Sequence, residues 1–148
     1  MSDNDVPAAT ELGAGHSWEL LGSAGYGRLA VVIAGAPEIF PVNFVARHPT
    51  VYLRTGEGTK LFGATVGHPV ALEVDQVDST GAWSVVAKGT PREAIAQDEV
   101  DAVDQLGLEP WVPTVKRHLI AIDVTSVSGR RFEFGAEPEV DPAAEPTD

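Results

Sequence analysis

A chain of 148 residues with 43% hydrophobic content is long enough for one domain with a real core and too short for two of ordinary size. No apolar run approaches the roughly 20 residues that span a bilayer, and the start, MSDNDVPAATELGAG, has neither the basic residues nor the apolar stretch of a secretory signal, so the expectation is a cytoplasmic protein with no membrane partner. The absence of cysteine excludes disulfides, thiolate nucleophiles and cysteine-ligated clusters. Redox chemistry, if the chain performs any, must come from a bound cofactor.

The formal charge of −12 is concentrated at the ends. Asp3, Asp5 and Glu11 precede His16, while Glu137, Glu139, Asp141, Glu145 and Asp148 follow Gly135, and neither segment contains Lys or Arg. Both ends are rich in Ala, Pro and acid, and too poor in large apolar residues to offset the entropy of ordering them. Residues 1–15 and 135–148 are therefore expected to be disordered acidic tails around a domain over 16–134. That body has only a small excess of acid, which argues against a nucleic-acid partner.

Along the body the first predicted element is a short lead-in helix over His16 to Ala24, with Trp18, Leu20 and Leu21 near one face. From there the dominant period is two, the mark of strands. GRLAVVIA (Gly27 to Ala34) and EIFPVNFV (Glu38 to Val45) read as a hairpin about the turn GAP. TVYLRT (Thr50 to Thr55) makes a third strand, followed by a turn or two of helix over Thr59 to Val66. PVALEVDQVD (Pro69 to Asp78) and AWSVVAKGTPREA (Ala82 to Ala94) flank STG as a second hairpin. A helix follows around Ala96 to Leu106, with Val100, Val103 and Leu106 at helical spacing and Asp98 and Glu99 at the end where the helix dipole favours acid. Its acids read as a solvated face. The last strand runs from Arg117 to Phe134, with a bend expected at Ser128-Gly129. Six strands in one small domain predict a barrel or sandwich, mainly β with a few short helices.

VYLRTGEGTK (Val51 to Lys60) gathers Arg54, Thr55, Thr59 and Lys60 around a glycine-rich turn, in a chain with only three lysines. A strand, a glycine turn and a helix start present free N–H groups, close backbone approach and two full charges, which together suit a phosphate. GEGTK lacks the spacing of a P-loop, and no G-x-G-x-x-G follows a strand and opens a helix, so nucleotide-hydrolase and Rossmann readings are weak. His16, His48, His68 and His118 show no metal-ligand spacing, no metal is expected, and no catalytic side chain stands out.

The order GRLAVVIAGAPEIFPVNFV, VYLRTGEGTKL, VALEVD, WSVVAKGTPREA and a late strand ending SGRRF resembles the pyridoxamine 5′-phosphate oxidase-like FMN-binding split-barrel family, in its small bacterial flavin-binding branch that includes nitroimidazole-resistance proteins. The resemblance covers Gly27 to Phe132. It implies a six-stranded split barrel, a homodimer and two flavins at the subunit interface. It also implies that Arg54, Thr55, Thr59 and Lys60 hold the cofactor phosphate, that Pro41, Val42, Asn43 and Phe44 lie along the flavin ring, and that Trp83 and Ser84 reach it near the dimer seam. Each assignment has a plain structural counterpart. Arg54 and Lys60 could be a solvated pair, Asn43 a buried polar group satisfied by backbone, Trp83 a cap on the core and Trp111 a loop anchor.

The end SGRRFEFG departs from the C-terminal arginine element of the true vitamin oxidases. Arg130 and Arg131 could hold an anion, but no second phosphate site is apparent, which argues against vitamin B6 oxidation. The expected function is an FMN-binding oxidoreductase that moves hydride or electrons to a small conjugated acceptor, the cofactor carrying the chemistry. The alternatives are a deazaflavin (F420) dependent reductase on the same fold and a non-catalytic flavin-binding or flavin-storing protein.

Overall fold

The computed structural model describes residues 9–55, 63–65, 67–108 and 118–135. In chain order the elements are β1 (Ala9–Leu12), α1 (Ala14–Ala24), β2 (Tyr26–Ile33), β3 (Ala36–Asn43), β4 (Val45–Arg47), β5 (Thr50–Thr55), β6 (Val70–Val77), β7 (Gly81–Glu93), α2 (Gln97–Asp104) and β8 (His118–Glu133). Residues 63–65 are also helical. All the ladders are antiparallel and make one eight-stranded sheet in the order β3-β2-β6-β7-β8-β5-β4, with β1 added to β8. The order ends on β3 and β4 with no ladder joining them among the described residues, so the rolled sheet is an open, split barrel.

The period of two read from the sequence becomes the inside of this barrel. Leu29 and Val31 of β2, Val51 and Leu53 of β5, Val70, Leu72 and Val74 of β6, Val85 and Ala87 of β7, and Ile120 and Ile122 of β8 form one buried cluster. Burying such a side chain contributes about 1.5–3 kcal/mol. Leu21 of α1 is fully buried and Trp18 packs against the same cluster, so α1 lies over the inner face. Gly25, at φ 67°, ends that helix in the left-handed conformation that glycine adopts without strain.

A second, smaller cluster lies on the other side of the sheet. Tyr52, Leu119 and Ala121 pack with Ala94, Val103 and Leu108, so α2 covers the outer side of β5 and β8.

β8 organises the sheet because of its length. It pairs with β7 from Ile120 to Glu133, with β5 in its first part (Thr50↔Asp123 to Thr55↔His118) and with β1 in its last (Leu12↔Gly129 to Ala9↔Phe132). The register with β7 slips between Lys88 and Gly89.

Four expectations need correction. Residues 1–15 are not disordered throughout, because Ala9–Leu12 forms β1 and α1 begins at Ala14 rather than His16. The unpaired backbone edge of β8 satisfies that segment despite its weak composition. The strand expected over Glu38 to Val45 is two strands, since Phe44 turns inward, 2% exposed, and its N–H donates to the Gly25 carbonyl at 3.0 Å. With β1 and β4 the sheet has eight strands where six were expected. The irregularity of the last strand falls beside Lys88/Gly89, earlier than the bend expected at Ser128-Gly129.

Candidate functional site

The candidate residues divide between two regions of the barrel. Pro41, Val42 and Asn43 end β3, Phe44 follows, and β4 then pairs with β5 with Val45 opposite Tyr52. β3 also comes close to β5, so Pro41 to Phe44 and the strand that carries Arg54 both border the open seam. Thr55 closes β5 opposite His118. Thr59, Lys60 and Trp111 lie outside the described residues. Trp83 and Ser84 are on β7, opposite Gln76 and Asp75 of β6.

Alternation of faces sorts these residues further. Val85 points into the core, so Ser84 is on the outer face and Trp83 on the inner one, where it packs against the main cluster and donates from its indole N–H to Gln76 at 3.2 Å. Phe44 and Val42 likewise belong to the inside. Asn43 pairs with Tyr26, and Ser84 with Asp75 and Arg130. Asn43, Tyr26, Asp75 and Ser84 therefore define an outer row across β3, β2, β6 and β7, about 15 Å wide at the ~4.8 Å strand spacing. Beside it Arg28 spans Glu73 at 3.3 Å and Asp75 at 3.4 Å. Burial, and then the charge of Asp75, push the Glu73 carboxyl up, with Arg28 opposing them. Further along the same face Val32 and Ile39 are more than half exposed.

At the corner, Arg54 is a nearly buried cation. Its side chain is only 12% exposed, its Nε–H donates to the Leu108 carbonyl at 3.3 Å, and Nη2 forms an ion pair with Asp104, the last residue of α2. The first turn of α2 is fixed as firmly. Arg92 meets Glu99 through two parallel bonds of 2.7 Å and reaches Asp123 through Nε at 2.7 Å, while the Tyr52 hydroxyl donates to Glu99 at 2.6 Å. These bonds hold the Glu99 carboxyl down at about 2, with the Arg92 guanidinium the largest cause and the Tyr52 hydroxyl the next. Arg92 is pushed further up by the same carboxylates. Burial first, then the bond to Glu99 and its charge, raise the Tyr52 phenol, which stays a proton donor. On the inner side of the corner His118 Nδ1 lies 2.9 Å from Glu93.

Sequence reasoning placed Asp98 and Glu99 correctly in the first turn of the helix, and its reading of the acids as a solvated face holds for the exposed Asp98, Asp101 and Asp104 but not for Glu99. Glu99 is its anchor to the sheet, and the exposed Asp104 adds an ion pair with Arg54. Five-residue spacing on a helix with the buried Val103 and the partly buried Val100 between was the available signal, although their cationic partners, Arg92 and Arg54, are set by tertiary structure alone. Among the described residues no group of three or more acidic or imidazole side chains is placed to hold a metal ion, and no helix is long and apolar enough to cross a membrane.

Comparison with known proteins fits this architecture. The family model described as pyridoxamine 5′-phosphate oxidase matches residues 14–131. A Corynebacterium glutamicum structure provisionally named as a pyridoxamine 5′-phosphate oxidase superposes with a TM-score of 0.78 at 36% identity, over 85% of this chain and 99% of that one. The FAD binding protein of Mycobacterium smegmatis gives 0.76 at 37% identity, over 85% of this chain and 100% of its own. An uncharacterized protein of Mycobacterium tuberculosis is 33% identical over 139 residues, 88% of this chain and 90% of the relative. A Bacteroides thetaiotaomicron structure provisionally named as a 5-nitroimidazole antibiotic resistance protein, at 12% identity and a TM-score of 0.64, shares the fold. From its first helix to the end of its longest strand, this chain belongs to the pyridoxamine 5′-phosphate oxidase family.

Proposed function

We propose that this protein binds a flavin through its phosphate at the corner where β3 and β4 meet β5, and works as a flavin-dependent oxidoreductase on a small conjugated acceptor. The observation that carries the reading is the likeness, at 37% identity and over all of its length, to the FAD binding protein of M. smegmatis. The charge of Arg54 supports a phosphate ester here. Arg54 is a nearly buried guanidinium with five N–H donors, held at the end of a strand by the Leu108 carbonyl, and Thr55 leads into the glycine-rich turn. Thr59 and Lys60 would complete the set. The outer row from Asn43 to Ser84, about 15 Å across on strand spacing, offers the ring and its side chain a surface of suitable extent.

A bound flavin supplies the hydride and electron chemistry; the protein's part is to bind, orient and shield. Arg54 would fix the phosphate, Asn43 and the β3 backbone the polar edge of the ring, and Ser84 the far end of the row. FMN is the cofactor this reading favours, with F420 and a purely flavin-storing role as its rivals. The second subunit of a homodimer would cover the outer face of β2, β3 and β6, where Val32, Ile39 and Val77 are 56%, 67% and 69% exposed.

Titration calorimetry of the apo protein with FMN, FAD, riboflavin and F420 tests the cofactor. Arg54→Ala should weaken FMN by about ten- to a hundredfold, the worth of a charge-assisted hydrogen bond, and leave riboflavin almost unchanged. Equal loss of both ligands, or of neither, removes Arg54 from the phosphate site. Anaerobic reduction of the loaded protein by NADPH, NADH or reduced deazaflavin, with quinone and nitroaromatic acceptors, separates an enzyme from a store. Light scattering should give a dimer, whose interface would bury roughly 1,200 Å² or more.

A further inference from the structure

Resting on the flavin-phosphate reading of the corner, we infer that Asp104 is a built-in competitor for that phosphate: its carboxylate occupies the Arg54 guanidinium and is exchanged for the cofactor's phosphate when the cofactor binds. The two partners differ in how they are held. Arg54 is 12% exposed and tied to the Leu108 carbonyl, whereas the Asp104 side chain is 52% exposed at the end of α2. Asp104 can therefore swing into water while Arg54 stays in place. What it gives up is small, because an ion pair with one well-solvated partner shifts an equilibrium by at most about fivefold. What replaces it is stronger, since a phosphate accepts charge-assisted, bidentate bonds from a guanidinium.

The exchange does not require α2 to leave. Glu99 is locked to Arg92 and Tyr52, and Val103 is fully buried, so the helix keeps its seat while one side chain at its end rotates. Asp104 then acts as a specificity residue. While it sits on Arg54 it offsets that guanidinium's charge, and weak anions such as chloride or acetate gain little by meeting it. A phosphate with its higher charge and three acceptor oxygens can displace it. Without Asp104 the guanidinium would attract any anion, and cofactor phosphate would bind more tightly but with less discrimination.

The test compares wild type, Asp104→Asn, Asp104→Ala and Arg54→Gln, each as the full chain, by calorimetry with FMN, riboflavin and inorganic pyrophosphate at fixed low ionic strength. The expected result is a two- to fivefold tighter FMN and pyrophosphate affinity in both Asp104 variants, no change for riboflavin, and a stronger inhibition of FMN binding by chloride than in wild type. Arg54→Gln should lose FMN and pyrophosphate. Unchanged or weaker FMN binding in the Asp104 variants, with Arg54→Gln still impaired, overturns the exchange and leaves the phosphate site intact. If no protein in the set binds any flavin, the flavin reading fails, and pyrophosphate decides the exchange separately: tighter binding in the Asp104 variants supports it, and equal binding in all four proteins overturns it.

Discussion

Replacing Glu99 by Gln should cost the fold stability at neutral pH and return it in acid, because the clamp between α2 and the sheet depends on one carboxylate. Glu99 takes two parallel bonds from Arg92 and one from Tyr52, and its carboxyl is held down at about 2 against an ordinary 4.5. At about 1.4 kcal/mol per pH unit that gap corresponds to a ceiling of about 3.5 kcal/mol. Arg92 is 42% exposed, so solvent screens the pair, and a little under half the ceiling, about 1.5 kcal/mol, is the expected loss. The sign follows from a depressed folded-state value. The contribution is complete above the unfolded carboxylate's 4.5 and disappears as the pH falls toward 2. Urea unfolding followed by tryptophan fluorescence at pH 7, 4.5 and 3 should show the wild type and Glu99→Gln furthest apart at pH 7 and converging at pH 3. Equal stability at pH 7, or a gap that stays constant down to pH 3, would refute the clamp.

Other perturbations probe the remaining parts of the fold. Val103→Ala, at a fully buried position under α2, should lower stability by about 1.5–3 kcal/mol in the same urea assay. Gly27→Ala would place a Cβ 2.4 Å from the Glu73 carbonyl oxygen and 2.8 Å from a Val74 methyl, so β2 and β6 must part, and a melting temperature within a degree of wild type would contradict the packing there. Removing residues 1–12 deletes β1 and bares the outer edge of β8; thermal melts should shift down and dye binding to exposed apolar surface should rise, where a disordered tail would leave both unchanged.

Much of this architecture was legible in the sequence because alternation is a local property. Leu29 and Val31, Leu72 and Val74, and Val85 and Ala87 all announce the buried face by their spacing, and the structure keeps them there. Pro41 within a strand is tolerated because β3 ends the sheet order, an edge that the pattern alone does not reveal. β1 escaped because ATEL has no apolar period of its own; it is a strand only because β8 is long enough to leave an edge for it. At the candidate site, Arg54 stood out by charge in a glycine-rich setting, but its partners Asp104 and Leu108 are some 50 residues away in sequence and are brought to it by the α2 fold-over. Trp83 and Ser84, adjacent in sequence, were read as one contact, yet strand alternation sends them to opposite faces.

The position of α2 follows from matched spacings. Tyr52 and Arg54 lie on the same side of β5, two residues and therefore about 6.6 Å apart along the strand. Their partners Glu99 and Asp104 are five residues apart on α2, a rise of about 7.5 Å. The two distances agree only if the helix runs alongside β5 in the same direction. Angular position adds a second constraint. At about 100° per residue, Val100 and Val103 fall between Glu99 and Asp104 around the helix, so the apolar pair faces the sheet while one acid reaches out on each side. The valines supply the attraction, and Val103 is fully buried as a result. The acids supply the register, because sliding α2 by one turn, about 5.4 Å, would separate both acids from Tyr52, Arg92 and Arg54 at once. A helix of eight residues, too short to be stable alone, is thereby fixed on the strand that carries Arg54.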